Sequence, residues 1–332
     1  MGARRRKAFG LVLAALALLA ARPVRAQDNE LAEACAVASQ DARSFCLLVA
    51  QAIEIAQPRL GMALTGGNPV PGTASTLGMR LGTLPRISLA GRGTAMRTSI
   101  PDIRTRGSED AIDFFIPSLD LDAAVGLFSG FSPAPTVGGL GSIDVLASVG
   151  VIPVPSGEGF AEESPFSWAL GARVGILRES FLLPGISVSG MYRRLGDVAY
   201  GDPELRGSAQ GGDDAFFTAE NISTLSVRAA IGKRLLFLGA TAGVGYDRYS
   251  GDVAFGVRTL IGSDRFPDRG SIELENDRIS AFANLSWTLL ILHVVGEVGF
   301  QSGADQVGTL PPTEVDPEEG SLFASLAVRL SI

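Results

Sequence analysis

Ten ionisable residues, Arg92, Asp120, Asp122, Asp144, Arg173, Arg193, Arg228, His293, Glu297 and Arg329, lie one step out of phase with runs of apolar neighbours. Asp120 and Asp122, for example, alternate with Leu119, Leu121 and Ala123. Side chains alternate across a strand with period two, so the charges share the face opposite the apolar one. Guanidinium and carboxylate groups facing one enclosed space have two chemistries open to them. They pair and stiffen a filled interior, or they line a polar conduit or pocket. His293 is the chain's single histidine. Proton-transfer catalysis would need it within hydrogen-bond reach of a carboxylate, and Glu297 on the same face is the one it can meet. Nothing else catalytic lies beside it, so an enzyme is not expected. Acidic stretches lack the spacing of a calcium loop, and neither metal nor cofactor is expected.

The elements that must carry these residues are alternating segments at 86–100, 117–129, 140–152, 165–179, 184–195, 221–233, 236–248, 275–288, 290–301 and 321–332. The last is the most regular: Leu322, Ala324, Leu326, Val328, Leu330 and Ile332 share one face, and Arg329 takes the other. Segments of this length fit a tilted membrane strand of about 9–11 residues with extensions. Mean hydropathy is positive, +0.27, yet no run after the first 26 residues is long enough for a spanning helix. Hydrophobicity hidden in alternation is the mark of an all-β fold, a closed antiparallel transmembrane β-barrel of about 10 strands. The segment Asp252–Ile261 could add a hairpin and raise the count to about 12; the preferred reading makes it an extension of the seventh and eighth strands. The connections alternate. Those at 101–116, 153–164, 196–220, 249–274 and 302–319 are all longer than those at the other end, as in bacterial outer-membrane barrels. Trp168, Tyr192, Tyr246 and Phe300 map to the outer ends of their strands and Trp287 to an inner end, as an aromatic girdle would.

Residues 1–26 read as a cleaved signal peptide: basic Arg4–Lys7, an apolar stretch from Phe9 to Ala21, and a Val24-Arg25-Ala26 cleavage site. Without it the chain keeps 22 basic and 35 acidic residues, a net charge of −13, which excludes nucleic acid as a partner. Residues 27–60 carry helical spacing with a break near Ser39–Asp41. On one straight helix Cys35 and Cys46 would stand about 16 Å apart. If the chain turns back at the break they can form a disulfide; otherwise they are two buried thiols. Residues 61–85 form a Gly/Pro-rich linker, so the helical segment is expected to plug the barrel or cap it on the periplasmic side. The barrel itself takes residues 86–332.

The whole chain looks like a Gram-negative outer-membrane barrel. Its N-terminal segment, with Gly67-Asn68-Pro69 ahead of the first strand, resembles the long-chain fatty-acid and aromatic-hydrocarbon transporters. In that family an Asn-Pro-Ala stretch belongs to a hatch that plugs the barrel. Here Val70 replaces the Ala, and that family has more strands and a longer chain. The resemblance covers about 50 residues and implies a plug rather than a substrate site. It frames the expected function, passive or gated uptake of a small solute, hydrophobic ones included. The competing expectation is a non-transport surface or structural barrel working through acidic outer loops. Expected partners are outer-membrane lipid, lipopolysaccharide and the barrel-assembly machinery. Ile332 stands where such barrels usually end in an aromatic. The solute and the oligomeric state are not legible.

Overall fold

The computed structural model describes Glu33, Cys35 and residues 43–332 apart from 81–83, 106–109, 135–136, 154–159, 161–163, 207–211, 262–263, 305–306 and 308–314. The expected signal peptide and the expected helical break lie outside the described residues. Ten long strands form the wall: β1 (Ile87–Pro101), β2 (Ala111–Phe128), β3 (Ser142–Val151), β4 (Phe166–Leu177), β5 (Gly185–Leu195), β6 (Ala215–Leu235), β7 (Leu238–Ile261), β8 (Asp264–Leu289), β9 (Leu292–Gln301) and β10 (Ser321–Ser331). Each pairs antiparallel with the next, and β10 pairs with β1. The seam between the last and the first segments is therefore closed, from Phe323–Met96 to Ser331–Ser88. A two-residue strand pair, Met79–Arg80 with Leu84–Pro85, precedes β1, and Val198–Gly201 adds a short strand beside β6.

Closure demands stagger. Partners followed sideways from Leu89 run through Ala123, Ala147, Leu170, Tyr192, Leu225, Arg248 and Asp277. Continued through β9 and β10 they return to β1 about twelve residues farther along, the shear that accompanies a strand tilt of roughly 35–45°. Outside, Leu89, Leu121, Leu170, Val244, Leu285, Val298 and Leu326 are exposed. Inside, Ser88, Arg92, Asp122, Ser148, Ser187 and Ser226 are buried. This inverts a water-soluble protein. Each such Leu or Val left in water would forgo about 1.5–3 kcal/mol of burial, so the exterior calls for hydrocarbon, and a closed sheet is one of the two backbones that satisfy themselves there.

The wall is taller than the sequence suggests. Positions 249–274, read above as a loop, continue β7 and β8 in unbroken register from Tyr249–Asn276 to Ile261–Asp264. Part of 196–220 likewise belongs to the short strand and to β6. Apolar residues that leave the lipid-facing phase read as loop, but here they turn inward. On β7, Leu238 and Val244 face out, whereas Val253, Phe255 and Val257 are buried. A bulge at Ser250/Asp252 adjusts the pairing with β6. At the other end β6–β7 and β8–β9 turn through two residues each, with Leu236 and Leu290 at positive φ of 55°. The two ends are called here the loop end and the turn end.

Helix α1 (Arg43–Thr65) lies inside the barrel. Of the two arrangements expected for this segment, it takes the plug and not the periplasmic cap. Its first turns are at the loop end, where Gln51 accepts the Val307 amide at 2.8 Å. Its last turn reaches the middle, where the Ala63 carbonyl accepts Ser118 at 2.7 Å. The helix runs past the boundary expected at residue 60. Pro58 interrupts its ladder, a cost of about 3 kcal/mol, but every residue from Leu48 to Leu64 is buried against the wall. Gly61 is required there, since a Cβ would fall within the Tyr249 ring. Gly66, at φ 58°, ends the helix. An extended strap then descends from Gly67 to Gly78 at the turn end.

Candidate functional site

The strap is held by carboxylates that accept its backbone amides. Glu297 on β9 accepts Gly67 N at 2.9 Å and Asn68 N at 3.0 Å, with Asn284 and Ser325 as side-chain donors. Asp144 on β3 accepts Leu77 N at 3.0 Å and Gly78 N at 3.4 Å. Arginines take the carbonyls. Arg228 donates to Gly67 O at 3.1 Å and Gly66 O at 3.3 Å, Arg92 to Asn68 O at 3.3 Å, and Arg173 to Thr73 O at 3.3 Å. Asn68 closes its own turn: its side chain accepts Val70 N and donates to Thr73 O. The chain's Gly67-Asn68-Pro69 therefore stands in the middle of the lumen, where extended backbone needs partners and the wall supplies them.

All ten ionisable residues singled out above are buried on the inner face. The structure brings eight of them together in two ways. Arg92–Asp122 (3.2 Å), Arg173–Asp144 (2.7 Å) and Arg193–Asp120 (3.3 Å) are ion pairs within the wall. Arg228 pairs with Asp247 at 2.8 Å, and Glu297 holds the strap. His293 and Arg329 are placed apart from these. His293 Nδ1 is bonded to Thr288 Oγ1 at 2.9 Å, so it does not meet Glu297, whose oxygens are taken by the strap and by β8 and β10. Neither Arg329 Nε nor Nη1 has a hydrogen-bond partner among the described residues.

Three members of the interior network were not singled out from sequence. Asp247 and Arg278 lie within the segments 236–248 and 275–288, one step out of phase with outward Tyr246 and Ile279, so the same alternation places them inward. Glu54 is the carboxylate of α1 and meets Arg278 at 2.7 Å. A signal existed for it: Gln51, Glu54 and Gln57 recur at a spacing of three in an otherwise apolar helix, which sets them on one face. That stripe meets Val307, Arg278 and Asn276. Cys35 and Cys46 are joined as a disulfide with Cα atoms 5.5 Å apart, both fully buried. Of the girdle residues, Trp168, Tyr192, Trp287 and Phe300 are exposed on the outer wall, and Tyr246 is half-buried there. Trp168 and Tyr192 touch edge to face across β4 and β5, centroids 6.3 Å apart.

What remains open inside is at the turn end, a vestibule of about 540 Å³ bounded by the strap and by Arg86, Arg178, Arg234, His293 and Arg329. A second recess of about 220 Å³ lies at the loop end beside Arg59 and Asp316. The helix and strap separate the two.

No family model matches the chain, and no curated relative does. Among solved structures it is similar to the β domain of the Bordetella autotransporter BrkA (11% identity, 74% of this chain, 99% of that one, TM-score 0.36). It is also similar to the transport unit of the autotransporter AIDA-I from Escherichia coli (8%, 84% and 99%, TM-score 0.35). A third is the TodX deltaS2S3 mutant monoaromatic hydrocarbon channel (10%, 74% and 89%, TM-score 0.29). At these scores nothing about activity follows from them.

Proposed function

We propose that this chain is a bacterial outer-membrane barrel kept closed by its own N-terminal segment, a surface or envelope element rather than an open pore. The supporting observation is that α1 is buried around its whole circumference from Leu48 to Leu64. An interior packed in this way has the density of a protein core, and withdrawing the helix would expose its whole apolar surface at once. An exterior that calls for hydrocarbon and the expected export signal favour the outer membrane. Lipid, lipopolysaccharide and the assembly machinery are then its partners. The test is conductance of the full chain in planar bilayers: a silent protein with the shifted band of a folded barrel on unboiled gels is expected. Steady single-channel steps, or passage of small sugars in liposome swelling, would overturn the closed reading.

Gated uptake of a small solute is the second reading, and the strap favours it. Below Thr65 the plug is extended and held by polar contacts, which an exchange of partners can release. Glu297→Gln with Asp144→Asn weakens the anchors of the strap, and the Arg173 ion pair with them, while leaving the helix core intact. Conductance in that variant, absent in the parent, would favour a gate.

A further inference from the structure

The turn-end vestibule is charged on one side. Arg329 reaches it from β10, next to His293 in the ladder. Arg329 is only 3% exposed, and its Nε and Nη1 have no hydrogen-bond partner among the described residues. The charged groups closest in influence are Arg173 and Arg234, both cations. Arg173 is already committed to Asp144. His293 gives Nδ1 to Thr288 and supplies no anion. Of the other lining groups, Arg178 spends one nitrogen on Ser129 O at 2.7 Å, and Arg86 and Arg234 are exposed at the rim. Two carboxylates are in the lining, and neither forms an ion pair with Arg329 among the described residues: Glu179 accepts the Arg234 backbone amide at 2.5 Å, and the terminal carboxyl group of Ile332 accepts Ile87 N at 3.0 Å. A buried guanidinium without a counter-charge is strongly unfavourable; Arg92, Arg173, Arg193, Arg228 and Arg278 each meet a carboxylate, and buried Arg59 donates to the Glu319 carbonyl at 2.9 Å.

We propose that this vestibule is a binding site for a phosphate group, with Arg329 as its buried anchor and Arg178 and Arg234 as its rim. A guanidinium offers a fixed fork of donors that matches a phosphate. The cavity, about 540 Å³, exceeds what one inorganic phosphate fills, so the group has room to arrive on a larger molecule. Phe181 lines the same opening and is 92% exposed, and the neighbouring tips Leu236 and Leu290 are as bare. Apolar tips of that kind sit well at a lipid headgroup layer, which places phospholipid phosphates beside the opening. A free phosphate ester and a lipid headgroup share the chemistry. The site does not depend on whether the barrel is closed permanently or gated.

The experiment uses the full folded chain in a maltoside detergent, which carries no phosphate. Calorimetric titration with inorganic phosphate at constant ionic strength forms one arm. Native mass spectrometry after incubation with phosphatidylglycerol forms the other. The expected result is one saturable site in at least one arm. Lipid retention that blocks the phosphate titration identifies the headgroup as occupant, and phosphate binding without lipid retention identifies a free ester. Arg329→Gln should lower affinity at least tenfold, while Arg206→Gln in the outer loops should not change it. If Arg329→Gln loses the folded gel band, Arg234→Gln replaces it, with a loss of about threefold expected. No saturable binding in either arm, or equal affinity in the folded anchor or rim variant, would overturn the proposal.

Discussion

At the loop end, α1 meets Met96, Ile100, Phe114, Ile116, Phe217, Val253, Phe255 and Leu274, a continuous apolar core closed by the disulfide. At the turn end the strap meets Asp144, Arg173, Arg228 and Glu297 and is held by hydrogen bonds and ion pairs. Both halves fill the same tube. The difference follows from what each filler brings. A helix satisfies its own backbone and presents side chains, so an apolar wall suits it. An extended strap presents unsatisfied amides and carbonyls, so it needs a wall of donors and acceptors. The outside obeys the complementary rule. Around the polar half the exterior is apolar, with Leu89, Leu121, Leu285 and Val298 exposed; around the apolar half it carries charges such as Arg97, Asp113, Asp252 and Glu273.

The contrast breaks most directly in the polar half. Asp144→Ala leaves Arg173 buried without its partner and frees two strap amides, and a loss of about 3–5 kcal/mol is expected. Thermal unfolding followed by the gel shift measures it. Adding Arg173→Met should restore much of the loss, because an apolar pair of similar volume is often neutral; no recovery would show that the strap contacts carry the effect. In the apolar half, Leu64→Ala should cost about 3 kcal/mol through a cavity. Urea midpoints for this variant should move equally at low and high salt. A salt-dependent difference would mean that the helix is held electrostatically after all.

Removal of the disulfide by Cys35→Ser with Cys46→Ser, which opens a closed segment of sequence separation 11, should cost about 2–3 kcal/mol. Hydrogen exchange should locate that loss at the start of α1, with the strap unchanged. The smallest effect lies outside both fillers. The Arg206 hydrogen bond to Asp202 at 2.8 Å holds that carboxyl below its ordinary value of 3.8. A depressed carboxyl stabilises the fold above its unfolded pKa, and the contribution fades as pH falls through the folded value. Arg206→Gln should raise the Asp202 midpoint seen by NMR and leave the interior pairs untouched.

The phase of the strands was legible throughout. Leu322 to Ile332 face outward and Arg329 inward, and the other nine segments keep their assigned faces. Polar inward residues were legible for the same reason. The apolar lining of the loop-end half was not: Val253 and Phe255 break the outward-apolar rule because the outer positions beside them carry Asp252 and Glu273, and the apolar residues are buried inside against the helix core. The change of parity along β7, from Leu238 and Val244 to Val253 and Val257, is the trace it leaves in the sequence.

Period-two alternation, strand length and charge placement follow from the chain alone, because a strand's faces are set by local geometry. The sequence thus determined a barrel, its inside and its outside. Which end the helix enters from, which carboxylate holds the strap and which arginine is left without one depend on register and shear around a closed sheet. Those relations join residues more than 200 positions apart, such as Glu54 with Arg278 and Gly67 with Glu297. Only the tertiary structure decides them, since each residue's partner is fixed by the summed stagger of ten strands and by no neighbour in sequence.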